Sequence, residues 1–201
     1  MLTDVGVVVL GYLVGSIPTG YWLVRLTRGE DVRRHGSGNI GATNVWRSFG
    51  RRLGITVALL DALKGFVPVV IALSITSDWV AVLTGAAAMV GHARPLWLGL
   101  RKGGKMVATA GGVSLALVPV PALLCLLIWV VVCVATRYAS AASLATAVAL
   151  PILCIAFGEP LPTVVFILVA AAAVIVLHRH NIVRLLHGTE SRLTFSRAAR
   201  V

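Results

Sequence analysis

Long apolar segments separated by short polar ones dominate this sequence, and they restrict the possible folds more than any other feature. Only 12% of the 201 residues are charged and 58% are hydrophobic, so the chain lacks the polar surface of a soluble globule. Apolar runs of helical length occupy residues 5–26, 53–73, 79–100, 106–118, 122–135, 143–157 and 163–177. The pattern predicts an all-α integral membrane protein with about seven transmembrane helices.

The basic residues predict how these spans are oriented. Of the 18 Lys and Arg residues, all but Lys64 fall in segments that seven spans would place on one side of the membrane. The positive-inside rule then places the N-terminus outside and the C-terminus in the cytoplasm. If residues 106–135 formed a hairpin that does not cross, five spans would remain with the same orientation. We expect a single domain over residues 1–201, with residues 193–201 as a flexible cytoplasmic tail.

The net charge of +11 could also suggest a nucleic-acid partner. The basic residues, however, form short clusters between apolar runs and lack a soluble stripe with interleaved aromatic residues. Membrane orientation explains the charge bias more simply, and we expect no nucleic-acid partner.

The first polar segment reads GSGNIGATN over residues 36–44 and is followed by Arg47. Its glycines allow backbone N–H groups to approach a ligand closely. Hydrogen-bonding side chains are supplied by Ser37, Asn39, Thr43 and Asn44. The loop suits a phosphate or a polyol, although an ordinary turn-rich connection would have a similar composition.

The second polar segment reads RKGGKMVAT over residues 101–109 and leads directly into the fourth apolar run. Free N–H groups and the positive end of the helix dipole would face an anion there. Residues 99–105 match part of a P-loop, but Met106 replaces the magnesium-binding Ser or Thr, and a membrane helix precedes the segment. We therefore reject a P-loop; the alternative for this segment is a positive-inside anchor.

Two further groups of residues combine polar side chains at helical spacing. His178 and Asn181, at the end of the last run, would share a helix face, although a histidine there could also be a solvated interfacial residue. Asp61 and Lys64 share a face inside the second run. They could neutralise each other or contact a ligand directly, and the sequence leaves both possibilities open.

At these residues the chain resembles the bacterial acyl-phosphate:glycerol-3-phosphate acyltransferases, the PlsY family. The resemblance rests on five blocks in the expected order: GSGNIGATNVWR at 36–47, LDALKG at 60–65, GHARPLWLGLRKGGKMVAT at 91–109, RYASAAS at 137–143 and HRHNIVRLLHGTE at 178–190. It implies a seven-helix protein of the bacterial inner membrane with a site facing the cytoplasm. Such an enzyme transfers a fatty acyl group from acyl phosphate to the 1-hydroxyl of sn-glycerol 3-phosphate, giving lysophosphatidic acid and phosphate.

The resemblance also implies which residues are functional. The catalytic candidates are Ser37, Ser143, His178 and Asn181. The candidates for binding substrate phosphate are Gly38, Asn39, Thr43, Asn44, Arg47, Lys64, His92, Lys102, Gly103, Gly104, Lys105 and Glu190. The family usually has glycine where this chain has Met106; a side chain there could narrow the loop, and the sequence leaves its effect on phosphate binding open.

The expected chemistry agrees with the residues present. Acyl phosphate is an activated mixed anhydride, so the enzyme needs no covalent nucleophile, metal or cofactor; it must align a hydroxyl with a carbonyl. Arg47 and Lys105 would offset phosphate charge, and amides of the glycine loops would stabilise the oxyanion by roughly 3 kcal/mol per donor. Either His178 or the leaving phosphate would accept the hydroxyl proton. The expected partners are the two substrates and membrane lipids, with the protein as a monomer.

Two other functions are compatible with parts of the sequence. A transporter of a phosphorylated metabolite would use the many helices, the Asp61 and Lys64 pair and the broken fourth run. The scarcity of basic residues on the outer face argues against it. A weakly active acyltransferase paralogue would be explained by Met106.

Overall fold

The computed structural model describes residues 1–195, and every regular element within that range is helical. The α-helices are α1 Leu2–Gly15, α2 Thr19–Arg28, α3 Ala42–Phe49, α4 Arg51–Ile75, α5 Asp78–Ala93, α6 Val107–Leu117, α7 Pro119–Thr136, α8 Ala139–Ala156, α9 Leu161–Leu177 and α10 Arg179–Leu186. Short 3₁₀ turns at Val32–Arg34 and Leu96–Leu98 lie in the polar connections. The prediction of an all-α fold is confirmed.

Each predicted apolar run forms a helix, but the helices differ in length. Within residues 1–195, four segments are long and apolar enough to cross a membrane: Leu2–Arg28, Arg51–Ile75, Pro119–Thr136 and Ala139–Ala156. Helices α9 and α10, which meet at a bend of 57°, make a fifth if they are counted together. Helix α6 has 11 residues. At 1.5 Å per residue it rises only ~16 Å, about half the thickness of a hydrocarbon core.

Proline residues break two of the predicted runs. The first run is interrupted at Pro18, where α1 has ended and α2 has not yet begun, because proline cannot donate the helical hydrogen bond and disfavours helix before it. The third run was expected to reach residue 100, but α5 stops at Ala93 and Pro95 follows. Both breaks free a backbone carbonyl group for a side-chain donor: that of Ile17 accepts from Lys64 at 2.9 Å, and that of Arg94 accepts from the Tyr12 hydroxyl at 3.2 Å.

Glycine residues bring several helices into direct backbone contact. A Cβ atom on Gly15 of α1 would lie 2.2 Å from the carbonyl oxygen of Ala88 in α5. One on Gly112 of α6 would lie 1.9 Å from the carbonyl oxygen of Ala62 in α4. Since no larger residue fits at these points, α1 packs closely on α5, and α6 on α4.

The polar connections and the C-terminal segment meet at one end of the helical bundle. The amide of Asn39 donates to the carbonyl oxygen of Gly103 at 3.3 Å, and the indole of Trp46 donates to that of Thr194 at 3.1 Å. Leu193 is only 2% exposed and packs against Cys133 of α7 and against residues of α8. The segment up to residue 195 is thus anchored, and the rest of the predicted tail, residues 196–201, lies outside the described residues.

Candidate active site

Asn44 holds the first glycine loop in shape. Its side-chain amide donates to the carbonyl oxygens of His35 at 3.0 Å and Asn39 at 2.8 Å, and its Oδ1 accepts from the backbone N–H of Ser37 at 2.9 Å. Gly38 adopts a φ of +68°, a left-handed conformation that glycine adopts without strain. The loop therefore presents an exposed Ser37, while the Asn44 amide is engaged inside the protein.

The Gly103-Gly104 pair docks the second loop onto the end of α5. The N–H of Gly103 donates to the carbonyl oxygen of Ala93 at 2.9 Å, and that of Gly104 donates to the carbonyl oxygen of His92 at 3.1 Å. A Cβ atom on Gly104 would lie 1.8 Å from Nε2 of His92. These two amides are thus used within the protein, which contradicts our expectation that they face an anion. Close packing explains the glycines instead.

Met106 points away from the second loop. It adopts a φ of +66° and is 6% exposed, packed in a cluster that includes Val69, Met89 and Val113. Its side chain therefore does not narrow the second loop, which decides a question that the sequence left open. The left-handed backbone explains why glycine suits this position, since a side chain there costs roughly 1–2 kcal/mol.

A hydrogen-bonded chain joins Lys105 to Glu190. The Lys105 ammonium donates to Oδ1 of Asn181 at 2.5 Å, and Nδ2 of Asn181 donates to Oε1 of Glu190 at 2.8 Å. The same carboxylate accepts from Arg184 at 2.7 Å and from Ser140 at 2.9 Å. Glu190 thus holds the cations of the site, and its direct contact with substrate phosphate stays a prediction.

Burial and charge set the protonation of this network. Burial alone would raise the pKa of Glu190, but hydrogen bonds from Asn181, Arg184 and Ser140 outweigh it, and the net pKa is lowered. Burial lowers the pKa of Lys105 from 10.5 to about 8. The carboxylate of Glu190 opposes that shift, whereas the nearby cations Arg184, Arg47 and Lys102 favour it. Glu190 is therefore ionised at neutral pH, and Lys105 is mainly protonated.

Arg47 lies between the first loop and the C-terminal segment. Its Nη2 donates to the carbonyl oxygen of Ser191, and among residues 1–195 its buried Nε has no hydrogen-bond partner. Burial lowers the pKa of its guanidinium, with the carboxylate of Glu190 opposing the shift. A partly desolvated cation with an unused donor is suited to an anionic ligand.

Arg47, Arg184 and Glu190 line a cavity of about 490 Å³ at the polar end of the bundle. Its lining residues are Gly36, Ser37, Asn44, Arg47, Ser48, Arg184, Glu190, Ser191, Arg192 and Thr194. The structure thus brings together residues from the segments at 36–47 and 178–190, and the Asn181 contact links Lys105 of the segment at 101–109 to them. Arg184, Ser191 and Arg192 were missed, because no residue spacing indicates that the chain folds back beside α3.

His178 lies at the bend between α9 and α10. It is 3% exposed, so it is not a solvated interfacial residue. Its Nδ1 lies 2.8 Å from the carbonyl oxygen of Val174, which can only accept, so Nδ1 carries the proton and Nε2 is left as an acceptor. This tautomer is the one that a general base requires.

Several other predicted site residues lie apart from the cavity. The Ser143 hydroxyl donates to the carbonyl oxygen of Ala139 at 2.8 Å and lies 3.2 Å from the indole nitrogen of Trp129, so it is used in packing α7 and α8. Thr43 is half-buried in the first turn of α3, and Lys102 is exposed. The catalytic role of Ser143 and the contacts of Thr43 and Lys102 with phosphate stay predictions.

Lys64 and His92 are also absent from the lining of this cavity, and both face Asp61. The Lys64 ammonium lies 2.8 Å from Oδ1 of Asp61, and Nδ1 of His92 lies 3.6 Å from the same oxygen. All three side chains are at most 5% exposed. Of the two possibilities that the sequence left open, the structure shows mutual neutralisation of Asp61 and Lys64.

The apolar membrane-crossing helices and the cationic cavity define a class: a helical integral membrane protein with a polar site suited to an anion. Within that class, the family model for glycerol-3-phosphate acyltransferase matches residues 5–188, and the chain belongs to this family. The resemblance found in the sequence is confirmed.

Individual relatives agree with the family assignment. The chain is 46% identical over 183 residues to a glycerol-3-phosphate acyltransferase of Synechococcus sp. (strain JA-3-3Ab), covering 91% of this chain and 90% of the relative. It is similar to the glycerol 3-phosphate form of PlsY, an integral membrane glycerol 3-phosphate acyltransferase, with a TM-score of 0.91, 41% identity and 96% coverage of both chains. The lysophosphatidic acid form of PlsY gives a TM-score of 0.87 at 40% identity, covering 94% of this chain and 95% of that one.

Proposed function

We propose that this protein transfers a fatty acyl group from acyl phosphate to the 1-hydroxyl of sn-glycerol 3-phosphate, giving lysophosphatidic acid and phosphate. The observation that carries the proposal is the convergence of three separate sequence motifs on one cationic site. Arg47 and Ser37 come from the segment at 36–47, Lys105 from that at 101–109, and Asn181 from that at 178–190. Family membership and relatives described with glycerol 3-phosphate and lysophosphatidic acid support the acceptor and the product.

The chemistry follows from how the site holds charge. The 1-hydroxyl oxygen attacks the acyl carbonyl carbon and forms the ester bond. The bond between that carbon and the phosphate oxygen breaks, and phosphate leaves with the electron pair. Arg47 and Lys105 offset the phosphate charges, and their fixed positions align the hydroxyl with the carbonyl. The hydroxyl proton passes to Nε2 of His178 or to the leaving phosphate.

A second cavity, of about 450 Å³, is suited to the acyl chain of the donor. It lies between α1, α2 and α4, and its lining is almost entirely apolar: Val14, Ile17, Thr19, Trp22, Leu23, Leu26, Leu60, Leu63, Lys64 and Val67. We expect Leu63→Trp to shift the preference toward shorter acyl phosphates by narrowing this groove, measured as kcat/KM against chain length. An unchanged chain-length preference would mean that the acyl chain binds outside this groove.

The cationic cavity would face the cytoplasm, with the N-terminus outside, because the basic connections gather at the cavity end of the bundle. Ser37 is exposed at the cavity and can be replaced by cysteine for labelling in intact cells. A membrane-impermeant maleimide should react only after the cells are permeabilised. Labelling in intact cells would indicate the opposite orientation, with the cavity outside the cell.

The decisive experiment is an assay of the purified protein with palmitoyl phosphate and glycerol 3-phosphate. Phosphate and lysophosphatidic acid should form in equal amounts. Activity with acyl-CoA but not with acyl phosphate would contradict the donor. Uptake of unchanged glycerol 3-phosphate into proteoliposomes, without acyl transfer, would instead favour a transporter.

A further inference from the structure

We propose that a buried polar cluster positions the second loop, and with it Lys105, for the proposed acyl transfer. The cluster comprises Thr19, Asp61, Lys64 and His92, and His92 is the member that contacts the loop. The inference rests on the proposed function and gives Asp61 and His92 a positioning role toward the glycerol 3-phosphate site, while Thr19 and Lys64 also line the second cavity.

Asp61 joins three parts of the helical bundle. Its carboxylate in α4 accepts from the hydroxyl of Thr19 in α2 and from the Lys64 ammonium at 2.8 Å, and it faces His92 of α5. Lys64 also donates to the carbonyl oxygen of Ile17 at 2.9 Å, where Pro18 breaks the first span. The cluster thus ties the break in the first span to the middle of α4 and the end of α5.

His92 connects this cluster to the second loop through both its backbone and its ring. Its carbonyl oxygen accepts from the N–H of Gly104 at 3.1 Å, and its Nε2 lies where a Cβ atom of Gly104 would be. The adjacent Gly103 donates to Ala93 at 2.9 Å. A shift of the imidazole would therefore move the backbone that leads directly into Lys105.

The same constraint reaches the first loop. The amide of Asn39 donates to the carbonyl oxygen of Gly103 at 3.3 Å, and Oδ1 of Asn39 accepts from the N–H of Gly41 at 2.8 Å. Both loops that approach the cationic cavity thus depend on where Gly103 lies.

Burial makes the cluster rigid. Asp61 is 2% exposed and Lys64 5%, so each ion depends on the other because water cannot replace a lost partner. The 3.6 Å separation of Asp61 and His92 is too long for a good hydrogen bond, and among residues 1–195 the buried Nδ1 of His92 has no hydrogen-bond partner. Neither Asp61 nor His92 lines the cationic cavity, and the cluster therefore acts through the loop.

The test is His92→Gln, which removes the ring from Gly104 but keeps a polar side chain near Asp61. We expect KM for glycerol 3-phosphate to rise roughly ten- to a hundredfold with a smaller change in kcat, because a misplaced Lys105 weakens binding. Thr84→Val is a matched control on α5. Thr84 is buried, and within residues 1–195 its hydroxyl makes a side-chain hydrogen bond only to the carbonyl oxygen of Val80 in the same helix. It should lower Tm without changing KM.

A double-mutant cycle with Lys105→Gln distinguishes positioning from direct contact. If His92 acts through Lys105, His92→Gln should raise KM little further in the Lys105→Gln background. Additive effects would mean that His92 contacts the substrate independently, and a lowered Tm with unchanged KM would mean a purely structural role. Either result overturns the proposal.

The paired variant Asp61→Asn/Lys64→Met provides a second test if His92→Gln does not fold. It removes both charges together, so no lone ion stays buried, and it should also raise KM. An unchanged KM would overturn the proposal. Wild-type protein that makes no lysophosphatidic acid would refute the proposed function, whereas an active wild type with unchanged KM in the variants refutes only the positioning role.

Discussion

Replacing Met106 with glycine separates two effects that this residue has on the protein. Glycine would relieve the strain of a side chain at a φ of +66°, worth roughly 1–2 kcal/mol. It would also empty the position that the methionine side chain fills among Val69, Met89 and Val113. Large-to-small substitutions of buried methionine cost ~2–5 kcal/mol, and glycine adds a backbone entropy cost of ~0.5–1 kcal/mol.

The loss of packing should outweigh the relief of strain. From these contributions the net destabilisation of Met106→Gly should be about 0.5–5 kcal/mol, toward the low end because an apolar lipid environment reduces the transfer contribution. In detergent this should lower Tm by several degrees, measured by thermal unfolding with a thiol-reactive dye. Because the side chain points into the core, KM for glycerol 3-phosphate should stay within about twofold of wild type.

Met106→Leu is the matched control, since it keeps the bulk and the backbone strain and should change Tm by less than the glycine variant. A glycine variant that is more stable than wild type, or that binds glycerol 3-phosphate much more tightly, would refute this reasoning. In that case the methionine would obstruct the loop. Near-zero turnover in both wild type and Met106→Gly would support a weakly active paralogue.

Three further predictions concern the cationic site. First, kcat/KM for glycerol 3-phosphate should fall as pH rises through about 8, because burial lowers the pKa of Lys105 to that value and phosphate needs its charged form. Lys105→Arg should move that decline to higher pH, and an unmoved decline would assign it to another group. Second, Arg47→Ala should raise KM for glycerol 3-phosphate with little change in kcat, while the exposed Arg51→Ala should not; a loss confined to kcat would contradict the assignment. Third, Leu193→Ala should lower Tm and raise KM, because Leu193 anchors the segment whose Ser191 carbonyl oxygen accepts from Arg47. Unchanged values of both would show that the anchor is dispensable.

The helical segments were largely predictable because membrane insertion imposes a strong local pattern. Each apolar run forms a helix within a few residues of the expected ends, except where proline intervenes. The break at Pro18 and the early end of α5 before Pro95 were misjudged. Pro68 and Pro151 lie inside continuous helices, so the presence of proline alone does not say which run breaks.

The candidate site was predictable in its members but less so in their roles. Ser37, Arg47, Lys105, His178 and Asn181 belong to motifs that the family resemblance brings together. The sequence could not indicate that the Gly103-Gly104 amides bond to α5, or that the carboxylate of Glu190 bonds to cations. Hydrogen-bond partners distant in the chain decide these roles, and residue spacing does not reveal them.

The sequence by itself determined the class of fold, the segregation of basic residues and the family, because hydrophobicity, charge and short motifs are local properties of the chain. Tertiary structure alone decided where Met106 points, what Asp61 and Lys64 do, and how the segment after α10 closes the cavity. Each depends on a contact between residues far apart in sequence, such as Lys105 with Asn181 or Leu193 with Arg137. In a buried, low-dielectric setting such contacts determine whether a charge binds a ligand or stabilises its neighbours.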